Sequence, residues 1–247
     1  MKKILFLMSF FVFLKAEQLY SSFDVVAIHQ SKLALEIGGI VSEIFVEPSS
    51  IVKKGDVLLK LDSTSEQIAL KAAKNDYALA NVAFQNAKSR FNKFKEVKEF
   101  IDKQSFEDIK AKYESAQLNL QKARLNIQHY ENIIDKKSLK APFDGVIARK
   151  FVDLGQAVAP VSMVLFEIFS YPDVKLILSF DEKYKDEVKL GQEFIYKIDG
   201  SKDEFKGKIA LIYPSVDIKT RKIYAEVKAK GFMPGLFGEG YIQIPNH

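Results

Sequence analysis

The chain has 247 residues, 37 Lys and Arg against 32 Asp and Glu, and 47% apolar side chains, a globular composition with enough apolar content for a buried core. It contains no Cys, which excludes disulfide frameworks, thiolate metal sites, iron–sulfur clusters and thiol catalysis. The net charge of +5 is spread over alternating Lys and Glu, with no aromatic-basic cluster, so nucleic acid is not an expected partner. His29, His129 and His247 are far apart in sequence, with no i, i+4 partner that would build a helical metal site.

At the start, Lys2 and Lys3 precede the apolar run Ile4 to Leu14 and then Lys15-Ala16, the order of a secretory signal. The expectation is a cleaved signal over 1–16 and an exported chain beginning near Glu17. The run is shorter than the ~20 residues a membrane span needs. An uncleaved interfacial anchor is the alternative.

Gly and Pro, which interrupt helices, are absent between Gly55 and Pro142 and frequent on either side. Within the gap, apolar residues recur at Leu70, Ala73, Tyr77, Ala80, Phe84, Ala87, Phe91 and Phe94, and again at Phe106, Ile109, Tyr113, Ala116, Leu120, Ala123, Ile127, Tyr130 and Ile134. Alternating steps of three and four make each set a heptad seam. Folding the chain back near residues 101 and 102 pairs Phe91 with Tyr113, Ala87 with Ala116 and Phe84 with Leu120, so small layers alternate with large ones. The spacing predicts an antiparallel coiled-coil hairpin over 62–138, each arm ~50 Å long at 1.5 Å per residue. Two core helices of a globular bundle are the alternative, disfavoured by the polar outer faces.

At the turn, Asp102 or Ser105 can cap the second helix. Phe100 and Ile101 fall at the far tip, either as contacts for a partner or as a small apolar plug.

The flanks repeat one another. Gly39 to Glu47, Val52 and Leu59-Lys60-Leu61 parallel Gly145 to Asp153, Val158 and Phe166-Glu167-Ile168, with turns expected at Lys54-Gly55-Asp56 and Leu154-Gly155-Gln156. Neither half closes a core alone; together, residues 29–61 and 139–169 predict a flattened β-sandwich with the hairpin inserted between its halves. Residues 17–28 read as a strand or linker. Residues 170–247 predict a small β-barrel, with strands at Val174 to Phe180, Glu193 to Ile198, Lys206 to Tyr213, Lys222 to Lys228 and Gly240 to Ile244, and one short helix over Asp181 to Leu190. The fold class is α+β, elongated and multidomain.

This order of parts resembles the periplasmic adaptor, or membrane fusion, subunits of Gram-negative tripartite efflux pumps. The resemblance is carried by Val52-Lys53-Lys54-Gly55-Asp56-Val57-Leu58-Leu59-Lys60-Leu61-Asp62 and Lys140-Ala141-Pro142-Phe143-Asp144-Gly145-Val146-Ile147, which look like the two lipoyl-like half-motifs. It is also carried by Asp217-Ile218-Lys219-Thr220-Arg221 and Met233-Pro234-Gly235-Leu236-Phe237, which are similar to the family's D-x-x-T-R and P-G-M-F barrel elements. The resemblance implies an inner-membrane transporter of the RND type, an outer-membrane TolC-like channel met by the hairpin tip at Phe100, Ile101, Asp102 and Ser105, and self-association, hexameric in the assembled pump. It implies no catalysis and no cofactor: in true lipoyl carriers the modified lysine sits where the coiled coil is inserted here, and Lys60 reads as a solvated strand residue.

Two departures accompany it. The family's Arg, Leu and Ser tip pattern is not intact, and the stretch after the barrel is short for a membrane-proximal domain. Asp217, Thr220, Arg221 and Gly235 are expected to be structural in the barrel, Arg221 either pairing with Asp217 or exposed. An ABC-exporter or type I secretion adaptor, and a coiled-coil module without a transport role, are the other readings. Metal export is disfavoured because only Met163 and Met233 remain as soft ligands after signal removal.

Overall fold

A computed structural model describes residues 17–97, 99 and 102–244. The expected signal segment and the tip residues Phe100 and Ile101 lie outside the described residues. The chain runs β1 (Glu17–Ala27), β2 (Gln30–Leu33), β3 (Gly39–Ile44), β4 (Ile51–Val52), β5 (Val57–Leu61), α1 (Thr64–Glu96), α2 (Lys103–Lys136), β6 (Ser138–Lys140), β7 (Gly145–Lys150), β8 (Ala157–Val158) and β9 (Phe166–Ser170). It continues through β10 (Asp173–Asp181), β11 (Glu193–Ile198), β12 (Phe205–Asp217), β13 (Lys222–Lys230) and β14 (Phe237–Ile244). Two compact units form among the described residues, one within 32–142 and 147–168, the other of the rest of them.

In the first unit the repeated flanks exchange strands. One sheet has the order β2-β9-β7-β4 and the other β6-β5-β3-β8, so each contains two strands from either half. The hydrogen bonds repeat at a constant step of 106 residues. Ser49 N–H donates to Ile147 C=O and Ile147 N–H to Ser50 C=O, while Gly155 N–H donates to Val41 C=O and Val41 N–H to Gln156 C=O, all at 2.8–3.0 Å. Gly55 N–H to Ala141 C=O is matched by Val161 N–H to Leu35 C=O, both 2.8 Å. Even the turn side chains correspond: Glu47 N–H donates to Ser50 Oγ at 3.0 Å, and Asp153 N–H to Gln156 Oε1 at 2.9 Å.

This pattern corrects the expected equivalence of the turns at Gly55 and Gly155. Gly155, at φ 79°, is the counterpart of Ser49 at 74°, and Gly55, at 93°, is the counterpart of Val161 at 62°. Each left-handed position thus carries glycine in only one half. A β-branched residue there is strained, and matching glycine to glycine across the sequence gives the wrong register.

The hairpin follows its seam. Every seam residue from Leu70 to Phe94 and from Phe106 to Ile134 is half-buried or buried, with Ala73 at 2% and Ile109 at 8% exposure the most enclosed. Ala87, Ala116 and Leu120 are among them. The rings of Phe91 and Tyr113 stack with centroids 4.9 Å apart and planes 5° apart, the pairing the heptads predict. The ring of Phe84, which the heptads set opposite Leu120, stacks on Tyr113 with centroids 5.7 Å apart, because the long aromatics reach across the small alanine layers.

The second unit is a closed six-stranded barrel, β1-β10-β13-β12-β11-β14. Its first stave, β1, comes from residues expected to lie outside the barrel; Ser22 to Ala27 pair with Ser179 to Val174 on one side and Glu17 to Asp24 with Ile244 to Phe237 on the other. Alternation dictates its core: Val174, Leu176, Leu178 and Phe180 of β10 point inward against Ile223, Ala225 and Val227 of β13. Tyr196 stacks on Phe194 and Phe205 in that core, and Phe23 meets Phe194 and Tyr196 edge-on, at centroid spacings of 5.4–5.8 Å. The expected helix over Asp181 to Leu190 is only a three-residue 3₁₀ turn, Glu182–Tyr184, in which the Lys183 N–H donates to the Asp181 carboxylate.

Ala87→Asp places a carboxylate in the closest layer of the coiled coil, at a cost of about 1–3 kcal/mol for its unmatched desolvation. The helical signal at 222 nm should melt earlier in this variant while the barrel and sandwich retain their strand signal; an unchanged helical melt would contradict the seam. Gly235, at φ 92° with no atom within 4 Å of an added Cβ, is constrained by backbone alone. Gly235→Val should therefore lower the barrel's melting temperature through the left-handed penalty of about 1–2 kcal/mol.

Candidate functional site: the hairpin, its root and the barrel turn

The hairpin stands on two neighbouring strands. β5 runs into α1 and α2 runs into β6, and these strands pair antiparallel, with Leu59 opposite Leu139 and Lys60 opposite Ser138. Both arms therefore leave the same edge of one sheet. Adjacent antiparallel strands are 4.7–4.9 Å apart, close enough for the two helices to zip from their roots.

A charged cluster fixes that exit. The Asp62 carboxylate accepts from the Thr64 N–H at 2.9 Å and the Thr64 hydroxyl at 2.6 Å, opening α1. At the end of α2, the Lys137 ammonium donates to the Asp62 carbonyl at 2.7 Å and pairs with Glu66 at 2.7 Å. The Glu66 and Lys137 side chains are 23% and 12% exposed, so this pair is far more enclosed than the other ion pairs of the helices. The hydrogen bond from the Lys137 ammonium holds the Glu66 carboxyl below its ordinary pKa, and the hydrogen bonds of Thr64 do the same for Asp62. The short pattern Asp62-Ser63-Thr64-Ser65-Glu66 carries a helix-start signal, but its link to Lys137 spans the whole hairpin and has no sequence signature.

At the far end, Asp102 caps α2, its Oδ1 accepting from the Ser105 N–H at 2.8 Å, which resolves the choice between the two candidates. This contact holds the Asp102 carboxyl below its ordinary pKa. Asp102 is exposed and Ser105 half-buried. The Lys60 ammonium, read as a solvated strand residue, lies over the Phe45 ring at 5.0 Å. Among the described residues no group of three or more His, Asp or Glu is gathered closely enough to hold a metal ion, and no helix is long and apolar enough to cross a membrane.

In the barrel, Asp217-Ile218-Lys219-Thr220-Arg221 forms the turn joining β12 to β13. Asp217 Oδ1 accepts from the N–H groups of Lys219 at 2.8 Å and Thr220 at 2.9 Å, and the Arg221 N–H donates to the Asp217 carbonyl at 2.8 Å. Arg221 closes the turn with φ 56°. Its guanidinium does not pair with Asp217 inside the barrel: it is 70% exposed and lies 3.6 Å from Glu182. The pattern thus encodes an Asp-capped loop with a left-handed closing residue, a backbone role for Asp217, Thr220 and Arg221. Gly235 holds its own turn, donating to the Val25 carbonyl at 2.8 Å.

Because Glu66 and Asp62 have depressed folded-state pKa values, their contribution to stability is present above the ordinary carboxylate pKa and is lost as pH falls through the depressed values. Acid titration of the intact protein should loosen the root at that lower pH. Lys137→Met should shift the loosening of the root upward in pH, as followed by hydrogen exchange at residues 62–67; an unmoved profile would show that the lysine does not hold the carboxylate ionised.

Comparison with known proteins gives a consistent picture. The family model "CzcB-like, barrel-sandwich hybrid domain" matches residues 29–168, more than half of the chain. The chain is 24% identical over 213 residues to the cobalt-zinc-cadmium resistance protein CzcB of Cupriavidus metallidurans, covering 81% of this chain and 40% of that protein. It is 23% identical over 231 residues to the multidrug export protein EmrA of Haemophilus influenzae, covering 73% and 59%. The chain thus spans about half the length of these curated relatives. Among solved structures, MacA of Actinobacillus actinomycetemcomitans superposes with a TM-score of 0.69 at 18% identity, over 93% of this chain and 79% of that one. The strand-exchanged sandwich, the inserted hairpin and the match over 29–168 together make this chain a member of the CzcB-like barrel-sandwich hybrid domain family.

Proposed function

We propose that the protein is a periplasmic adaptor that links an inner-membrane RND-type drug:proton transporter to an outer-membrane TolC-like channel for multidrug export. It acts by assembling into an oligomeric sheath, hexameric in the complete pump, and by presenting its hairpin tip, Phe100, Ile101, Asp102 and Ser105, to the channel. The observation that carries this reading is the hairpin itself, two helices of 33 and 34 residues rooted on adjacent strands of one sheet, which offers a long arm. The likeness to a multidrug export protein supports a drug cargo, and the Asp217-to-Arg221 turn matches the element that resembles RND adaptors.

A second reading has its own support: the matching family model and one relative bear the name of cobalt-zinc-cadmium resistance. The two readings separate in one experiment. Deletion of the gene in a strain without redundant pumps should raise accumulation of dyes, bile salts and antibiotics, restored by the intact gene. Unchanged drug accumulation with new sensitivity to zinc, cobalt or cadmium would transfer the cargo to cations, and no change in either would overturn an export role.

A further inference from the structure

On the outer wall of the barrel, where β1, β14 and β11 run side by side, the side chains form a small grid. Phe23, Phe194, Tyr196 and Ile198 point into the core, so the alternate residues of the same strands face solvent. Tyr20, Tyr241 and Ile195 make one row, Ser22, Glu239 and Lys197 the next, and Asp24, Phe237 and Asp199 the third. Tyr20, Tyr241 and Phe237 are 53%, 44% and 59% exposed, and the two tyrosine rings meet edge-on with centroids 5.9 Å apart. The grid is acidic on a chain whose net charge is +5. It holds Asp24, Asp199 and Glu239 against the Lys197 ammonium, which lies 3.7 Å from Glu204. None of the three carboxylates meets a cation within ion-pair distance among the described residues. Glu239 Oε2 accepts from the Tyr20 hydroxyl at 3.0 Å. A groove of about 310 Å³ opens here, lined by Tyr20, Ser22, Lys197, Asp199, Phe237 and Glu239 together with the adjoining turn.

Exposed rings beside carboxylates that lack a cation suit a positive charge carried on an apolar body: the ring faces attract it through their quadrupole, and the carboxylates through net charge. Size decides between a protein segment and a small molecule. The grid spans about 10 Å across three strands and about 14 Å along them, far short of the roughly 800 Å² that a stable protein partner covers. The groove, by contrast, has the volume of a small-ligand site, roughly 300–1,000 Å³. We infer that this wall of the barrel binds amphiphilic organic cations, with the charged centre between Glu239 and Asp199 and the apolar body against Tyr20 and Phe237. The inference rests on the export reading only in taking such a cation as cargo.

Ethidium, a planar aromatic cation, is the probe, its fluorescence anisotropy followed as the full chain is titrated in. Saturable binding is expected, displaced by tetraphenylphosphonium and not by the anionic dye anilinonaphthalene sulfonate. Glu239→Gln combined with Asp199→Asn, which removes charge at constant size, should weaken binding by at least about threefold. Phe237→Leu alone should weaken it similarly, whereas Tyr20→Phe, which keeps the ring, and Glu43→Gln, a carboxylate of the sandwich, should leave it unchanged; circular dichroism confirms that each variant is folded. No saturable binding, equal binding of the anionic dye, or binding indifferent to the charge and ring substitutions would overturn the inference. Binding of oligolysine without binding of ethidium would assign the wall to a basic peptide and overturn it too. Drug accumulation in the deletion strain keeps the two claims apart: unchanged accumulation alongside intact ethidium binding removes only the proposed function, whereas export by a chain that binds no ethidium removes only this site.

Discussion

The pairing of β5 with β6 is the constraint on which the first unit depends. These strands belong to different halves of the repeat, yet they are hydrogen-bonded neighbours, with Val57 opposite Lys140 and Leu59 opposite Leu139. Because they are antiparallel and one leads into α1 while the other receives α2, the helices have no choice but to run side by side in opposite directions. The Lys137 ammonium then spans both roots, bonding the Asp62 carbonyl and the Glu66 carboxylate. The coiled coil and the sandwich are thus one mechanical object: loosening the pairing at the root would splay the arms, and parting the arms would pull at an edge strand of the sheet.

The long-range organisation of the hairpin is legible in the residues because a heptad seam is a local signal repeated many times. Each of the seventeen seam positions is decided by its neighbours three and four residues away, and the structure leaves all of those side chains half-buried or buried. The stacking of Phe91 on Tyr113 follows from the same register. Where side-chain reach matters more than spacing, the sequence is a poorer guide: Phe84 bends toward Tyr113 across an alanine layer, a detail governed by ring size and free space.

Less was legible wherever the determining partner is distant or the signal is backbone geometry. β1 joins the barrel through partners 147 to 227 residues away, and its alternation alone does not say which sheet it completes. The equivalence of Ser49 with Gly155, and of Val161 with Gly55, is invisible to a comparison that matches glycine to glycine, because the surrounding hydrogen bonds impose the left-handed backbone on whichever residue is present. Arg221 illustrates the same limit. The D-x-x-T-R pattern suggests a charge pair, whereas the aspartate is consumed by the turn's N–H groups and the arginine contributes its backbone to the turn and its guanidinium to Glu182.

The closure of the barrel by β1 orders events during synthesis. Ser22 waits for Ser179, and Tyr20 for Tyr241, before either has its native neighbour. A nascent chain therefore holds an eleven-residue strand with one edge unpaired until β10 has emerged and the other until β14 has. Until that moment, any helper that shields exposed strand edges would find its target in β1, and the barrel as a whole can only form once β14 is available.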